Sequence, residues 1–358
     1  MLSIQCMDFI ENGMILGVWD INRIYQYEFG KNKICSLIRP FSIDKSIISP
    51  YGQVYEYKKG NYLFAPLGES HILLYDSINC SFRTIELEKS QRYKNKKINT
   101  FFCEIVSVSK YLLLIPCAYE AIIRFDCETE EVEYFYECVE EIMKNTVNIN
   151  DKLFFRGYAV VNGMVYLACF SYRGHILRIN PENMTYDIVN IAKNSISICG
   201  KDDNCWLLTD EGELCEWNIN NCKLSTISKH NCKFGSMPYQ EMVENQKWVI
   251  LIPWESNQLV IYDKELKKEK LMDIGNCSSP MGMFGKIRDD EVYIFFHKFR
   301  QLYTIDLNEL SVKSIIEIDP PADDEVKYWE GIYGRDKTLF SENGYKSLEQ
   351  FISNILEG

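Results

Sequence analysis

The sequence predicts an all-β chain built from seven consecutive units of four antiparallel strands. Three observations carry this. A five-residue pattern recurs seven times, an apolar run stands at a near-constant distance before each copy, and turn-forming residues separate the runs. The pattern is Ile or Leu, two variable residues, a large residue, then Asp, Glu or Asn. Its copies are IYQYE (24–28), ILLYD (72–76), IIRFD (122–126), ILRIN (176–180), LCEWN (214–218), LVIYD (259–263) and LYTID (302–306). The closing residues lie 38 to 54 positions apart, with a mean near 46. Asp and Asn at a strand end start turns, so these residues are expected to be caps rather than a site.

The preceding runs are MILGVW (14–19), NYLFAP (61–66), YLLLIP (111–116), MVYLAC (164–169), NCWLLT (204–209), WVILIP (248–253) and EVYIFF (291–296). Each begins 10 to 12 residues before its five-residue copy, which describes two strands joined by a short loop. The runs are continuously apolar, as in strands covered on both faces. After each closing residue a period-2 segment follows, such as FRTIEL (82–87), VEYFYE (132–137), KLSTIS (223–228) and VKSIIEI (312–318). A less apolar strand precedes each run and ends in a turn signal: Asn12-Gly13, Lys59-Gly60, Asn162-Gly163, Asp203-Asn204 or Asp289-Asp290.

Seven units of four antiparallel strands and about 46 residues close radially as a seven-bladed β-propeller. Over residues 1–320 the chain resembles the broad β-propeller superfamily of kelch-like and WD40-like repeat architecture. It lacks the Gly-His and Trp-Asp signatures of WD40 and the paired glycines of kelch, so the resemblance names no subfamily. A seven-repeat β-solenoid is the structural alternative, and the hairpin signals argue against it. Residues 136–145 are expected to form a short helix. Residues 321–358 leave the pattern. There KSLEQFISNILEG places Leu348, Phe351, Ile352, Ile355 and Leu356 on one helical face, with Ser347 and Gln350 as a capping box. The predicted tail helix packs on a blade or helps to close the ring; a docking helix for a partner is the alternative.

The 358 residues are 46% hydrophobic and 13% aromatic, which excludes a disordered chain. No apolar run approaches the roughly 18 residues of a membrane span. The formal charge of −12 argues against nucleic acid as the main partner. The start, MLSIQCMDFIENG, has neither a basic segment nor an apolar core, so no signal peptide and a cytoplasmic protein are expected. The 14 cysteines contain no C-x-x-C and are read as reduced thiols. The basic stretch 88–100 and the acidic stretch 127–144 are read as solvated surface.

The loops between second and third strands open on the face that propellers usually use for binding, as the resemblance implies. They collect Arg23, Glu69, His71, Tyr119, Glu120, Tyr172, Arg173, His175, Trp254, Glu255, His297, Lys298 and Arg300. Tyr, Trp and Arg anchor interfaces. The first functional expectation is therefore a non-catalytic scaffold that binds a protein or peptide through this face. Its binding residues are Tyr119, Tyr172, Arg173, Trp254, Glu255, His297 and Arg300. The second is an enzyme or binder that takes a carbohydrate or small polar ligand at the channel mouth. There Glu104 or Glu241 serves as general acid/base and Arg156 as the clamp. Gln53, Glu56 and Gln240 are further channel candidates. A third is a lectin-like module that stacks glycans on Tyr119, Tyr172 and Trp254. No cofactor or metal is expected, because His71, His175 and His297 belong to units that are not neighbours. No G-x-S-x-G, P-loop, G-x-G-x-x-G, H-E-x-x-H or recurring sialidase Asp-box is present.

Overall fold

The computed structural model describes residues 4–18, 24–30, 33–36, 51–88, 102–146, 153, 155–200, 204–230, 237–275 and 280–318. The predicted tail helix, the boundary at 320, the basic stretch beyond 88 and the Arg23 loop lie outside the described residues. Within them, seven four-stranded antiparallel sheets follow one another in chain order as blades 1 to 7, so the chain is an all-β, seven-bladed β-propeller. The blades occupy 4–36, 51–86, 102–135, 155–190, 195–229, 239–273 and 282–317. The one helix among the described residues, Glu137–Asn145, links blades 3 and 4. It buries Cys138, Val139 and Ile142 and leaves its glutamates outward. No helix among these residues is long and apolar enough to cross a membrane.

Burial follows the sequence pattern. The second strands are covered on both faces: all six residues of Gly13–Val18 and of Trp248–Pro253 are buried. The outer strands are half exposed, as in Ser81–Glu86. Core clusters form between adjacent blades. One joins Ile4, Met7, Met14 and Tyr25 of blade 1 to Tyr293, Phe295 and Leu302 of blade 7. The ring therefore closes by packing, with each blade built from consecutive strands. Arg288 of blade 7 reinforces the seam by donating to the Ile10 carbonyl at 3.2 Å and the Glu11 carbonyl at 3.1 Å.

Six of the seven closing residues cap turns, as expected. Asp76, Asp126, Asp263 and Asp306 each accept two backbone N–H bonds at 2.8 to 3.1 Å. Asn180 and Asn218 each accept one. Lys110 and these turn amides hold Asp126 down to about 2.

The innermost strands are Ile4–Ile10, Tyr51–Lys58, Phe102–Val108, Phe155–Val161, Ser195–Cys199, Tyr239–Glu244 and Gly282–Arg288. Every one of them loses register with its second strand near its start. Such a bulge bends an edge strand and re-aims the side chains around it. It also explains three prolines. Pro66, Pro116 and Pro253 end their second strands opposite Tyr51, Phe102 and Tyr239, where the ladder is interrupted and a missing N–H costs nothing.

Gly157 belongs to the blade 4 bulge, at φ +62°, and a Cβ there would lie 2.5 Å from the Ile198 carbonyl oxygen. The bare α-carbon lets the innermost strands of blades 4 and 5 meet, and Val160 N–H donates to the Gly200 carbonyl at 3.0 Å. Gly157→Ala should lower stability by about 2 kcal/mol or more, from left-handed strain plus the clash. Urea unfolding checks this; an unchanged midpoint would show that the two strands can part freely.

Candidate functional site: the central channel

The bulged innermost strands bring five ionisable side chains from five blades into one place: Asp8, Glu104, Arg156, Glu241 and Lys286. Beside them lies a cavity of about 520 Å³. Glu104, Glu241, Glu244, Lys286, Gln53, Tyr55, Ser107 and Tyr158 form its polar wall, and Val160, Ile198, Met242 and Phe284 are among its apolar residues. The ring encloses these groups, and Glu104, Glu241 and Lys286 border the cavity. Lys286 and Asp8 keep 32% and 16% of their side-chain surface exposed, so water can reach them.

The charges answer one another. Glu241 accepts from the Phe284 N–H at 3.2 Å and lies in the field of Arg156. With its amide oxygen turned toward Arg156, Gln240 accepts from the guanidinium Nε at 3.1 Å and Nη1 at 3.0 Å. Asp8 accepts from the Phe9 N–H at 3.0 Å and the Glu56 N–H at 3.1 Å, and its Oδ1 lies 3.9 Å from Lys286 Nζ. Glu104 Oε1 accepts from the Ile105 N–H at 3.3 Å.

Burial is the largest single influence on the titration of all five, and it sets the direction in four. It pushes Glu104 up to about 7, and the Glu241 charge adds to the rise, against Lys286. Glu241 is raised by burial against the pull of Arg156, and Asp8 by burial against Lys286. Burial pulls Arg156 down, while Glu241 opposes it. Lys286 goes the other way: burial lowers it, but Asp8, Glu104 and Glu241 together outweigh burial and hold it protonated. A carboxyl that titrates near neutrality beside a second carboxylate can exchange protons with a bound molecule.

The structure thus brings together all three channel residues expected from sequence, Glu104, Arg156 and Glu241. Gln53 lines the cavity with the two glutamates, and Arg156 stands behind them. Glu56 belongs elsewhere: its carboxylate accepts from the Gly60 N–H at 2.7 Å and from the Tyr62 hydroxyl at 3.3 Å. Asp8, Tyr55, Tyr158 and Lys286 escaped the sequence reading. Superposing the seven innermost strands position by position would have raised them.

The loop-face residues fall on two arcs of the ring. Tyr119, Tyr172 and Arg173 belong to blades 3 and 4, and Trp254, Glu255, His297 and Arg300 to blades 6 and 7. Tyr119 corrects the expectation of an exposed aromatic. It is 3% exposed, packs on Phe102 and Tyr134, and donates to the Glu88 carbonyl at 2.8 Å, so no stacking surface remains. Glu69 and His71 are buried as well, with the Tyr51 hydroxyl 3.0 Å from His71 Nε2. Glu255 accepts from the Met237 N–H at 2.8 Å and ties its loop to the segment that enters the innermost strand of blade 6. Tyr172 stacks on His175 at 4.2 Å, and Arg173 is exposed. Trp254, His297 and Arg300 are half-buried.

A second cluster, Ser228, His230 and Glu269, joins the outer strands of blades 5 and 6. The serine hydroxyl lies 3.0 Å from His230 Nε2 and also bonds Glu269, which reaches the same nitrogen at 3.4 Å. A nucleophilic relay needs the carboxylate on the other ring nitrogen, so this group is structural. Among the described residues no group of His, Cys, Asp and Glu is arranged to hold a metal ion. The described cysteines are free thiols.

No family model matches the sequence, and no curated protein is similar to it. Solved structures are similar in fold. PorZ, a surface component of the type-IX secretion system of Porphyromonas gingivalis, superposes with a TM-score of 0.59 at 9% identity, over 90% of this chain and 39% of that one. A streptogramin B lyase gives 0.58 at 10% identity, over 78% and 86%. The WD40 repeats of RRP9 give 0.54 at 11%, over 73% and 78%. At such identities the likeness concerns the fold alone.

Proposed function

We propose that the protein binds a small polar ligand in its central channel. The observation that carries this reading is the convergence of Asp8, Glu104, Arg156, Glu241 and Lys286 beside a cavity of about 520 Å³. Enclosed charges cost stability unless they are paired, and a mixed set of five beside open volume suits a ligand better than it suits folding. The fold does not choose for us: one structural neighbour is named a lyase and another a set of WD40 repeats. The catalytic form of the same reading gives Glu104 or Glu241 the proton transfer and Arg156 the clamp.

Scaffold binding through the loop face is the second reading. Exposed Arg173 beside the Tyr172–His175 stack favours it. One pair of variants separates the two. Ser107→Trp fills the cavity, whereas the quadruple alanine variant of Arg173, Trp254, His297 and Arg300 strips the loops. A thermal-shift screen of polar metabolites should give hits that Ser107→Trp abolishes and the quadruple variant keeps. A stoichiometric protein partner held by Ser107→Trp and lost by the quadruple variant would overturn the channel reading.

A further inference from the structure

This inference rests on the channel reading and names the class of ligand. We propose that the cavity takes a small organic cation, its ammonium group seated between Glu104 and Glu241 with Tyr55, Tyr158 and Phe284 as walls. Charge points this way first. Three carboxylates line the cavity (Glu104, Glu241, Glu244) with one cation, Lys286. Lys264 pairs with Glu244, and Asp8 and Arg156 nearby offset one another, which leaves one negative charge when all are ionised. Arg156 and Lys286 are engaged already. Arg156 lies against Gln240 in the field of Glu241, and Lys286 stands 3.9 Å from Asp8 in the field of Asp8, Glu104 and Glu241. An anion would add to the excess, and a neutral ligand would leave it in place.

The walls agree. Aromatic faces carry the negative side of the ring quadrupole and attract ammonium groups. Tyr55, Tyr158 and Phe284 line the cavity alongside the two glutamates.

The seat is sensitive to pH through Glu104. The groups around that carboxyl are Glu241 of blade 6, Lys286 of blade 7, Arg156 and Tyr158 of blade 4, Gln53 and Tyr55 of blade 2, and Cys103 of its own strand. Glu104 titrates near 7, so an incoming cation meets a neutral acid at pH 6 and a carboxylate at pH 8.

Choline is the probe of choice, because its charge does not change with pH. Calorimetric titration of the full chain should give an affinity about tenfold higher at pH 8 than at pH 6, as a single carboxyl of pKa about 7 requires. Glu104→Gln should weaken binding about tenfold or more at pH 8 and flatten the pH dependence. Choline that binds equally at both pH values and equally to Glu104→Gln would overturn the seat. Myo-inositol and inorganic phosphate run in parallel. Either one binding wild type but not Ser107→Trp, where choline fails, would overturn the cation class and keep the channel reading. If none of the three binds, the cation proposal falls, and the metabolite screen decides the channel reading separately.

Discussion

Glu104→Gln should stabilise the protein at pH 8 by up to about 3 kcal/mol, and by less than about 1 kcal/mol at pH 5. The acid titrates at 4.5 in an open chain and at about 7 in the channel. Between those values the folded protein holds a proton that the unfolded chain has lost. Stability therefore falls as pH rises through this window, which is the reverse of a salt-bridged carboxylate. The loss approaches 1.36 kcal/mol for each unit of difference, and channel water trims it. Glutamine never ionises and escapes the loss. Asp8 and Glu241 are raised too, so wild type should decline further in the same direction. Urea unfolding of both proteins at pH 5 and pH 8 measures the difference. A variant less stable than wild type at pH 8 would mean that the ionised carboxylate is well satisfied in the fold, and the functional argument would lose its main support. If the expected gain is found, the chain carries an acid that folding alone would discard, and retained instability of this kind belongs to a site.

The blades were legible because their signals are local and repeated. Tyr27, Tyr75, Phe125, Trp217 and Tyr262 each sit one residue before a turn, and a turn of that kind has few solutions for Asp or Asn. The prolines were visible as letters but not as geometry. Pro66, Pro116 and Pro253 mark the places where the innermost strand bulges, and a bulge depends on the neighbouring strand rather than on its own residues. A slip of one residue exchanges the faces of a strand. Glu104 and Glu241 stand at the irregularity of their strands, whereas Lys286 stands one residue past its own, so a position-by-position alternation does not pair it with them. Glu56 failed for another reason: a polar residue on an innermost strand can serve the nearest turn instead of the channel. Tyr119 failed because a loop position does not determine burial. The strand that holds Tyr134 and the carbonyl of Glu88 close over it.

Arg156→Met should cost up to about 3–5 kcal/mol at pH 8, because it removes the enclosed cation that offsets a nearby carboxylate and leaves that carboxylate charged. The carboxylate is Glu241, the strongest charge acting on Arg156, and Gln240 loses its guanidinium neighbour in the same step. Glu241 can escape by taking up a proton, since burial has raised it already. The cost should therefore shrink as the pH falls toward 5. Adding Glu241→Gln removes the stranded charge, so the double variant should recover most of the loss at pH 8 and show little further pH dependence. Unfolding of wild type, both single variants and the double variant forms a closed cycle that isolates the coupling. If the double variant is as unstable as Arg156→Met at every pH, the arginine acts through packing against Gln240 and not through Glu241.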